Sequence, residues 1–352
     1  MADIFAQALE VWEKCGRNQC KAAKELGIPR ATLQGRLRSA NLGLKCERDV
    51  PVVIKAEADE TLQKRINDLE AALEVARRPR TRHGDGKAPK RQKGDFKRVA
   101  IPDTHGQHVD QQALKAALAD IKELKPAEIV LLGDHIDCGG FLAQHHVMGY
   151  VAETRTSFEE DIAATNAFLD SVQEAAPQAA IHYIEGNHER RIERWIVTQT
   201  LRHPADSAMF KRWFGVEACL SLKKRGIRHY EQGQAYCDLR VPCTIKLGKC
   251  YFTHGHRTGK HPAAQMLKDF GSNVVFGHCH ARDSHDEPSV EAGDIGAWTP
   301  GCLCQKQPMW MHTSPTRWGH GYHLQLCRSN GDFLPVNVPI IDGRSFLVPL
   351  LR

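Results

Sequence analysis

The sequence predicts an α/β protein that carries a small all-α unit at its N-terminus. Three observations lead there. From residue 99 to residue 184, short apolar runs alternate with amphipathic stretches, the pattern of strands and helices in a layered, partly parallel sheet. Polar clusters rich in His, Asp and Asn follow the apolar runs, at the strand ends where such sheets build sites. The first 98 residues differ in kind: they hold 22 Lys+Arg against 14 Asp+Glu, while the remainder carries a slight acidic excess.

The chain of 352 residues, 41% hydrophobic and 26% charged, has the length of one large domain plus a smaller one, or of two domains. No apolar run approaches the length of a membrane span, and no basic start precedes an apolar core, so the cytoplasm is the default compartment. Twelve Cys are scattered without a Cys-x-x-Cys pair, which suits reduced thiols rather than a disulfide framework or a zinc ribbon. The one close pair is Cys302-x-Cys304.

Residues 1–45 read as a helical unit. Ile4, Phe5, Ala8, Leu9 and Trp12 recur at helical spacing. Ala22, Ala23 and Leu26 continue an apolar stripe, Gly27 supplies a turn, Ile28 plugs the gap, and Pro29 opens the next helix. Leu33 and Leu37 point inward, leaving Arg30, Thr32, Gln34, Arg36 and Arg38 mostly outward. The Leu-Gly-Ile-x-x-x-Thr-Leu turn resembles that of helix-turn-helix DNA-binding modules, whose second helix enters the major groove. That resemblance makes DNA the expected partner and those five residues the expected contacts. A three-helix interaction domain with a solvated basic face fits the same pattern.

Residues 46–98 form a connector. Leu62, Ile66, Leu69, Leu73 and Ala76 alternate at spacings of four and three, so residues 55–76 suit either a helix that pairs with a copy of itself, giving a homodimer, or one lying on the next domain. Residues 77–98 hold ten Lys+Arg broken by Pro and Gly, a flexible basic tether. The main domain then runs over 99–352. Strands are expected at 99–101, 128–132 and 180–184, helices at 110–124, 156–174 and 190–215. Further β-structure is expected at 241–247, 249–253, 273–276 and 321–328, with Asn330-Gly331 as a hairpin turn.

The clusters carry the chemistry. Asp103, His105, Asp134, Asn187, His254, His278 and His280 all offer oxygen or nitrogen to a divalent metal. A mixed carboxylate, imidazole and amide set favours manganese, with iron or zinc as alternatives. Seven ligands exceed one ion's needs and suffice for two when a carboxylate bridges. Two ions about 3.5–4 Å apart clamp the attacking and leaving oxygens of a phosphoryl transfer.

Asp103-x-His105, Gly133-Asp134-x-x-Asp137, Gly186-Asn187-His188-Glu189, His254 and Gly277-His278-x-His280, in this order, resemble the calcineurin-like metallophosphoesterase superfamily over about residues 100–281. The resemblance implies a β-sandwich flanked by helices and hydrolysis of phosphate esters by a hydroxide activated on two metals. It places Asp103, His105 and His280 on one ion and Asn187, His254 and His278 on the other, with Asp134 bridging. It makes His188 the group that protonates the leaving oxygen or holds the transition-state charge, oriented by Asp137. No Arg follows Asp137 as in the protein phosphatase branch.

Several residues keep two readings. Arg190 and Arg191 suit a phosphate clamp or a helix face paired with Glu189 or Glu193. His256 is a candidate substrate contact, and His135 a candidate lining residue. Trp298, Trp310, His312, Arg317, Trp318 and His320 suit base stacking or core and rim packing. Coupled to a DNA-binding unit, the expected substrate is nucleic acid, as for a nuclease or phosphodiesterase of phage or prophage type. The alternatives are a phosphomonoesterase acting on phosphoprotein or nucleotide, and a DNA-binding regulator with a non-catalytic metal domain.

Overall fold

A computed structural model describes residues 4–41, 94–142, 157–237, 239, 241–290, 293–308, 311 and 315–347. The expected pairing helix at 55–76, most of the tether, and Trp310 and His312 lie outside the described residues. The chain divides into two compact units, Met1–Leu69 and Glu70–Arg352.

Among the described residues of the first unit, three helices follow closely: α1 (Ile4–Lys14), α2 (Gln19–Glu25) and α3 (Arg30–Asn41). The Asn18 side chain accepts from the amides of Cys20 and Lys21, satisfying two of the donors that a helix start leaves unpaired. Gly27 adopts a φ of 61°, a left-handed conformation that side chains resist and that lets the chain turn out of α2. Ala8, Ala22, Ala23, Leu33 and Leu37 bury together, with Leu9, Trp12, Leu26 and Ile28 packed against them. Thr32 and Gln34 are exposed on α3, and Arg36 is half-buried. Gln34 and Arg30 both donate to the Gln19 side-chain oxygen, at 3.0 and 3.5 Å. The side chain of Arg38 is outside the described residues.

The second unit is built on two sheets. β1 (Phe96–Ile101), β2 (Glu128–Leu131), β3 (Ala180–Ile184) and β4 (Arg228–Tyr230) run parallel. β5 (Thr244–Leu247), β6 (Cys250–Thr253), β7 (Val274–Phe276), β8 (Arg282–Ser289) and β9 (Gly293–Pro300) form the second sheet, in the order β5-β6-β7-β9-β8. β10 (His320–Cys327), β11 (Phe333–Ile341) and β12 (Arg344–Ser345) then return to the first sheet, whose order is β12-β11-β10-β1-β2-β3-β4. Among the described residues six helices accompany them: α4 (Gln111–Leu124), α5 (Phe158–Ala175), α6 (Arg190–Thr200), α7 (Ser207–Phe214), α8 (Val216–Leu220) and α9 (Pro262–Phe270).

Side chains alternate across the strands, and both faces of the central strands are covered, so those strands read as continuous apolar runs. On one face Val99, Ile101, Ile129, Leu131, Ile181 and Tyr183 meet Ala117 and Ile121 of α4 and Ile162, Phe168 and Val172 of α5. On the other, Ala100, Val130, Leu132 and Ile184 meet Ile245, Phe252, Val275 and Trp298 of the second sheet. Helix α9 covers the far side of that sheet with Ala263, Met266 and Leu267. Each buried aliphatic or aromatic side chain contributes about 1.5–3 kcal/mol. The result is a two-sheet sandwich flanked by helices, as expected.

The boundaries follow local chemistry. Asp110 caps α4 and Ser157 with Glu160 forms a capping box on α5. The single helical stretch expected over 190–215 is instead α6 and α7, parted by a 3₁₀ turn at Pro204–Asp206, because proline lacks an N–H and its ring clashes with the preceding turn. The expected β-runs are β5, β6, β7 and β10, with the Asn330-Gly331 turn between β10 and β11. Among the described residues no helix is long and apolar enough to cross a membrane.

Candidate metal centre

The loops leaving β1, β2, β3, β6 and β7 at their C-terminal ends bring all seven expected ligands together. His280 Nε2 lies 2.9 Å from Asp103 Oδ2 and 3.1 Å from His105 Nε2. Alongside, His254 Nε2 lies 2.9 Å from Asn187 Oδ1, 3.2 Å from His278 Nδ1 and 3.2 Å from Asp134 Oδ2. Asp134 groups both with Asp103 and His105 and with His254 and His278. Facing imidazole nitrogens at these separations have no hydrogen bond to offer each other when both are unprotonated. Ligand bonds of about 2.1 Å place neighbouring donors roughly 3.0–3.4 Å apart, so both sets have the spacing and the donor chemistry of divalent metal sites.

Backbone conformation serves this convergence. His105, Asp134, His278 and His280 all have positive φ, at 52°, 50°, 67° and 56°. Such conformations cost on the order of 1–3 kcal/mol for residues with side chains and persist only where surrounding contacts enforce them. At Gly186 a Cβ would lie 2.1 Å from Asp134 Oδ1, and at Gly277 one would lie 2.4 Å from Asp103 Oδ1; neither loop approaches with a larger residue. The amide of His188 donates to Asp134 Oδ1 at 2.8 Å, and that of His278 to both oxygens of Asp103 at 3.0 and 3.1 Å, which fixes both carboxylates.

Glu189, whose role the sequence left open, is buried beneath the loops. Its two oxygens accept from the amides of Asp134, His135, Ile136 and Gly186 and from the Tyr183 hydroxyl, at 2.8–3.2 Å. One carboxylate thereby joins the second and third clusters.

Charge in the centre is strongly biased. Burial opposes ionisation of Asp103 and Asp134, but His280 and His254 respectively outweigh it and hold both carboxyls below the usual range. Burial likewise opposes protonation of His254, yet Asp134 drives its pKa up to about 10. The buried carboxylates thus draw positive charge to the point where the donors meet. His278, by burial and then by the charge of His254, falls to about 4, leaving a neutral imidazole able to ligate.

His188 stands beside the ligands. Its Nδ1 donates to the Asp137 carbonyl at 2.7 Å, with the Asp137 carboxylate at 3.3 Å. The expected acid–imidazole pairing is therefore made mainly by the main chain of Asp137, because that carboxylate accepts from His105 Nδ1 at 2.9 Å. Burial disfavours the His188 cation, but Asp134 and Asp137 outweigh it and raise its pKa above the ordinary imidazole value. Arg191 is buried, with Nη1 on the Asp137 carbonyl at 3.0 Å and Nη2 2.9 Å from His188 Nε2.

The remaining expected residues scatter. Arg190 is exposed. His256 turns to Asp269 at 2.9 Å, a carboxylate shared with Arg257, and does not join the cluster. His135 is wholly buried, stacked on Phe168 with Nδ1 on Thr104; it packs the core rather than lining the site. Trp298 lies between the sheets. The half-buried Trp318 meets the His280 ring edge-to-face with centroids 4.1 Å apart, and Cys304 Sγ is 4.0 Å from His280 Nδ1. Nothing in the local sequence around Trp318 or Cys304 marks their nearness to His280; only the return of the chain after β9 creates it.

The family comparison agrees with this geometry. The calcineurin-like phosphoesterase family matches residues 96–298. No curated protein matches the chain. Among solved structures, the chain is similar to a single mutant of Vps29 from Entamoeba histolytica, at 12% identity over 71% of this chain and 96% of that one, with a TM-score of 0.35. It is also similar to YfcE, a phosphoesterase from E. coli, at 15% identity over 69% and 99%, with a TM-score of 0.32. Vps29 from Cryptosporidium parvum gives 9% identity over 72% and 95%, with a TM-score of 0.36.

Proposed function

The chain belongs to the calcineurin-like phosphoesterase family, metal-dependent hydrolases of phosphate esters, and we propose that it cleaves phosphodiesters of nucleic acid while tethered to DNA. The observation that carries the reaction is the convergence of seven oxygen and nitrogen donors in two adjoining sets about Asp134. Asp103, His105 and His280 would hold one ion, and Asn187, His254 and His278 the other, with Asp134 shared between them; manganese is the ion we assign first. When bound, such ions would supply Lewis acidity, activating water and offsetting charge on the phosphoryl oxygens.

The chain's own groups do the rest. Asp137 holds His105 in the tautomer that leaves Nε2 free to ligate, a second partner of the kind metal-binding imidazoles use. His188, kept protonated by the two carboxylates, gives its Nε2 proton to the leaving oxygen. Arg191 Nη2 donates to that nitrogen at 2.9 Å, arginine being always a donor, so a protonated His188 requires the guanidinium to turn to the phosphate instead.

The substrate class rests on the N-terminal third. Three short helices, the turn chemistry at Gly27 and the basic excess support a helix-turn-helix reading in which Arg30, Thr32, Gln34, Arg36 and Arg38 contact DNA. The proposed organisation is residues 1–45 for DNA, 46–98 as connector with self-pairing at 55–76, and 99–352 for hydrolysis. A substrate panel tests this: the Mn²⁺-loaded protein is given bis-p-nitrophenyl phosphate, p-nitrophenyl phosphate and plasmid DNA. We expect turnover of the diester and of DNA; turnover of the monoester alone overturns the nuclease reading, and no turnover overturns the enzyme. Removal of residues 1–93, which leaves β1 whole, should abolish DNA retention, and equal retention by 94–352 refutes the N-terminal assignment.

A further inference from the structure

Six consecutive amides of the loop after β2, residues 134–139, donate to just two carboxylates. Glu189 takes the first three. Asp161, in the first turn of α5, takes the rest: its Oδ1 accepts from Asp137 N at 3.3 Å, and its Oδ2 from Cys138 N at 2.7 Å and Gly139 N at 3.4 Å. Asp161 belongs to none of the five metal-binding clusters and is buried. It is not needed as a helix cap, since Ser157 and Glu160 already cap α5.

The same carboxylate closes on the first cluster. A Cβ at Gly106 would fall 1.6 Å from Asp161 Oδ1, so the turn following His105 passes directly over it. Between these two contacts runs the His105–Asp137 hydrogen bond of 2.9 Å. A carboxylate buried against amides is costly to desolvate, and a neutral side chain of the same size would fill the space without that cost. What a neutral side chain cannot do is accept from three amides at once.

We propose that Asp161 is a positioning residue for the hydrolysis, acting through Asp137. Holding the amides of residues 137–139 fixes the Asp137 carboxylate on His105 and the Asp137 carbonyl on His188 and Arg191. One helix residue thus sets the orientation of a metal-binding imidazole and of the proton-donating one together.

The inference rests on the phosphoesterase reading for its kinetic arm only. Asp161→Asn and Asp161→Ala are made in the full chain, with kcat and KM measured on bis-p-nitrophenyl phosphate, bound Mn²⁺ counted, and amide exchange followed. We expect kcat to fall about 10–100-fold with KM within about threefold, the range for outer partners of metal ligands. Bound metal is retained, and exchange quickens at 137–139 while 134–136, held by Glu189, stay protected. Unchanged kcat in Asp161→Asn overturns the proposal. So does loss of metal with uniform loss of protection across 134–139, which marks a general structural prop. Should both variants fail to fold, the unmodified protein decides: amides 137–139 exchanging as fast as exposed turns refute the role, and slow exchange supports it. An inactive but well-folded unmodified protein removes the enzyme reading and leaves the exchange test standing.

Discussion

Replacing Glu189 with Gln tests how the second and third clusters are joined. The carboxylate accepts from five donors, three on Oε1 and two on Oε2. Gln keeps the shape but turns one oxygen into a donor group. Whichever way the amide lies, at least two buried donors face an N–H instead of an acceptor. Each donor left unpaired costs about 1–3 kcal/mol, so the loss is about 2–6 kcal/mol. Part of this is offset, because burial and then the Asp134 charge already raise the Glu189 carboxyl above its ordinary pKa, and the variant removes that buried charge. For a body of this size the net corresponds to a fall in melting temperature on the order of 10 °C. Thermal unfolding at one fixed Mn²⁺ concentration reads it, since bound ion itself raises the midpoint. Tyr183→Phe is the control: it removes one donor and strands none, costing less than about 1.5 kcal/mol. A Glu189→Gln protein that melts within about 2 °C of the parent refutes the reasoning, because no two stranded donors are that cheap.

Three further outcomes are expected. Asp134→Asn removes the oxygen common to both donor sets; bound Mn²⁺ should drop below two per chain by elemental analysis, and turnover should fall by more than the roughly hundredfold that outer partners cost. His188→Asn should keep its metal yet lose about 10²–10⁴ in rate on esters with poor leaving groups, and less on p-nitrophenyl esters, whose leaving oxygen needs no proton. The pH profile separates them further. His188 acts as its cation and its pKa is raised, so activity should survive above the ordinary imidazole value of about 6.5 and decline as pH rises through the shifted pKa. His188→Asn should lack that alkaline limb.

Legibility in the sequence followed physical cause. β3 was readable to the residue because Ala180–Ile184 is buried on both faces, and Ala180, Ile181, Tyr183 and Ile184 make a short apolar run that ends at Glu185. The convergence of the seven candidate donors was readable because metal binding restricts both residue type and position after a strand. β8 was not: it is an edge strand exposed along nearly its whole length, so polar residues fill both of its faces and erase the period of two. Arg190 and Arg191 were indistinguishable as neighbours, and only the phase of α6 sends one outward and the other under His188. Glu189 and Asp161 were opaque for a different reason. Their partners are main-chain amides, which every sequence has everywhere.

The pairing of β1 with β10 bears on how the protein is made. Phe96 lies opposite Cys327, and Val99 opposite Leu324, so the strand bearing the first metal cluster meets its antiparallel neighbour more than two hundred residues later in the chain. During synthesis β1 waits with one edge open until nearly the whole polypeptide has left the ribosome, while the helices of the first unit, local in their contacts, can form long before. Hydrolytic power therefore arrives last. A chain cut short before residue 320 carries the basic N-terminal third and every residue of the candidate metal clusters, yet lacks the strand that pairs with β1.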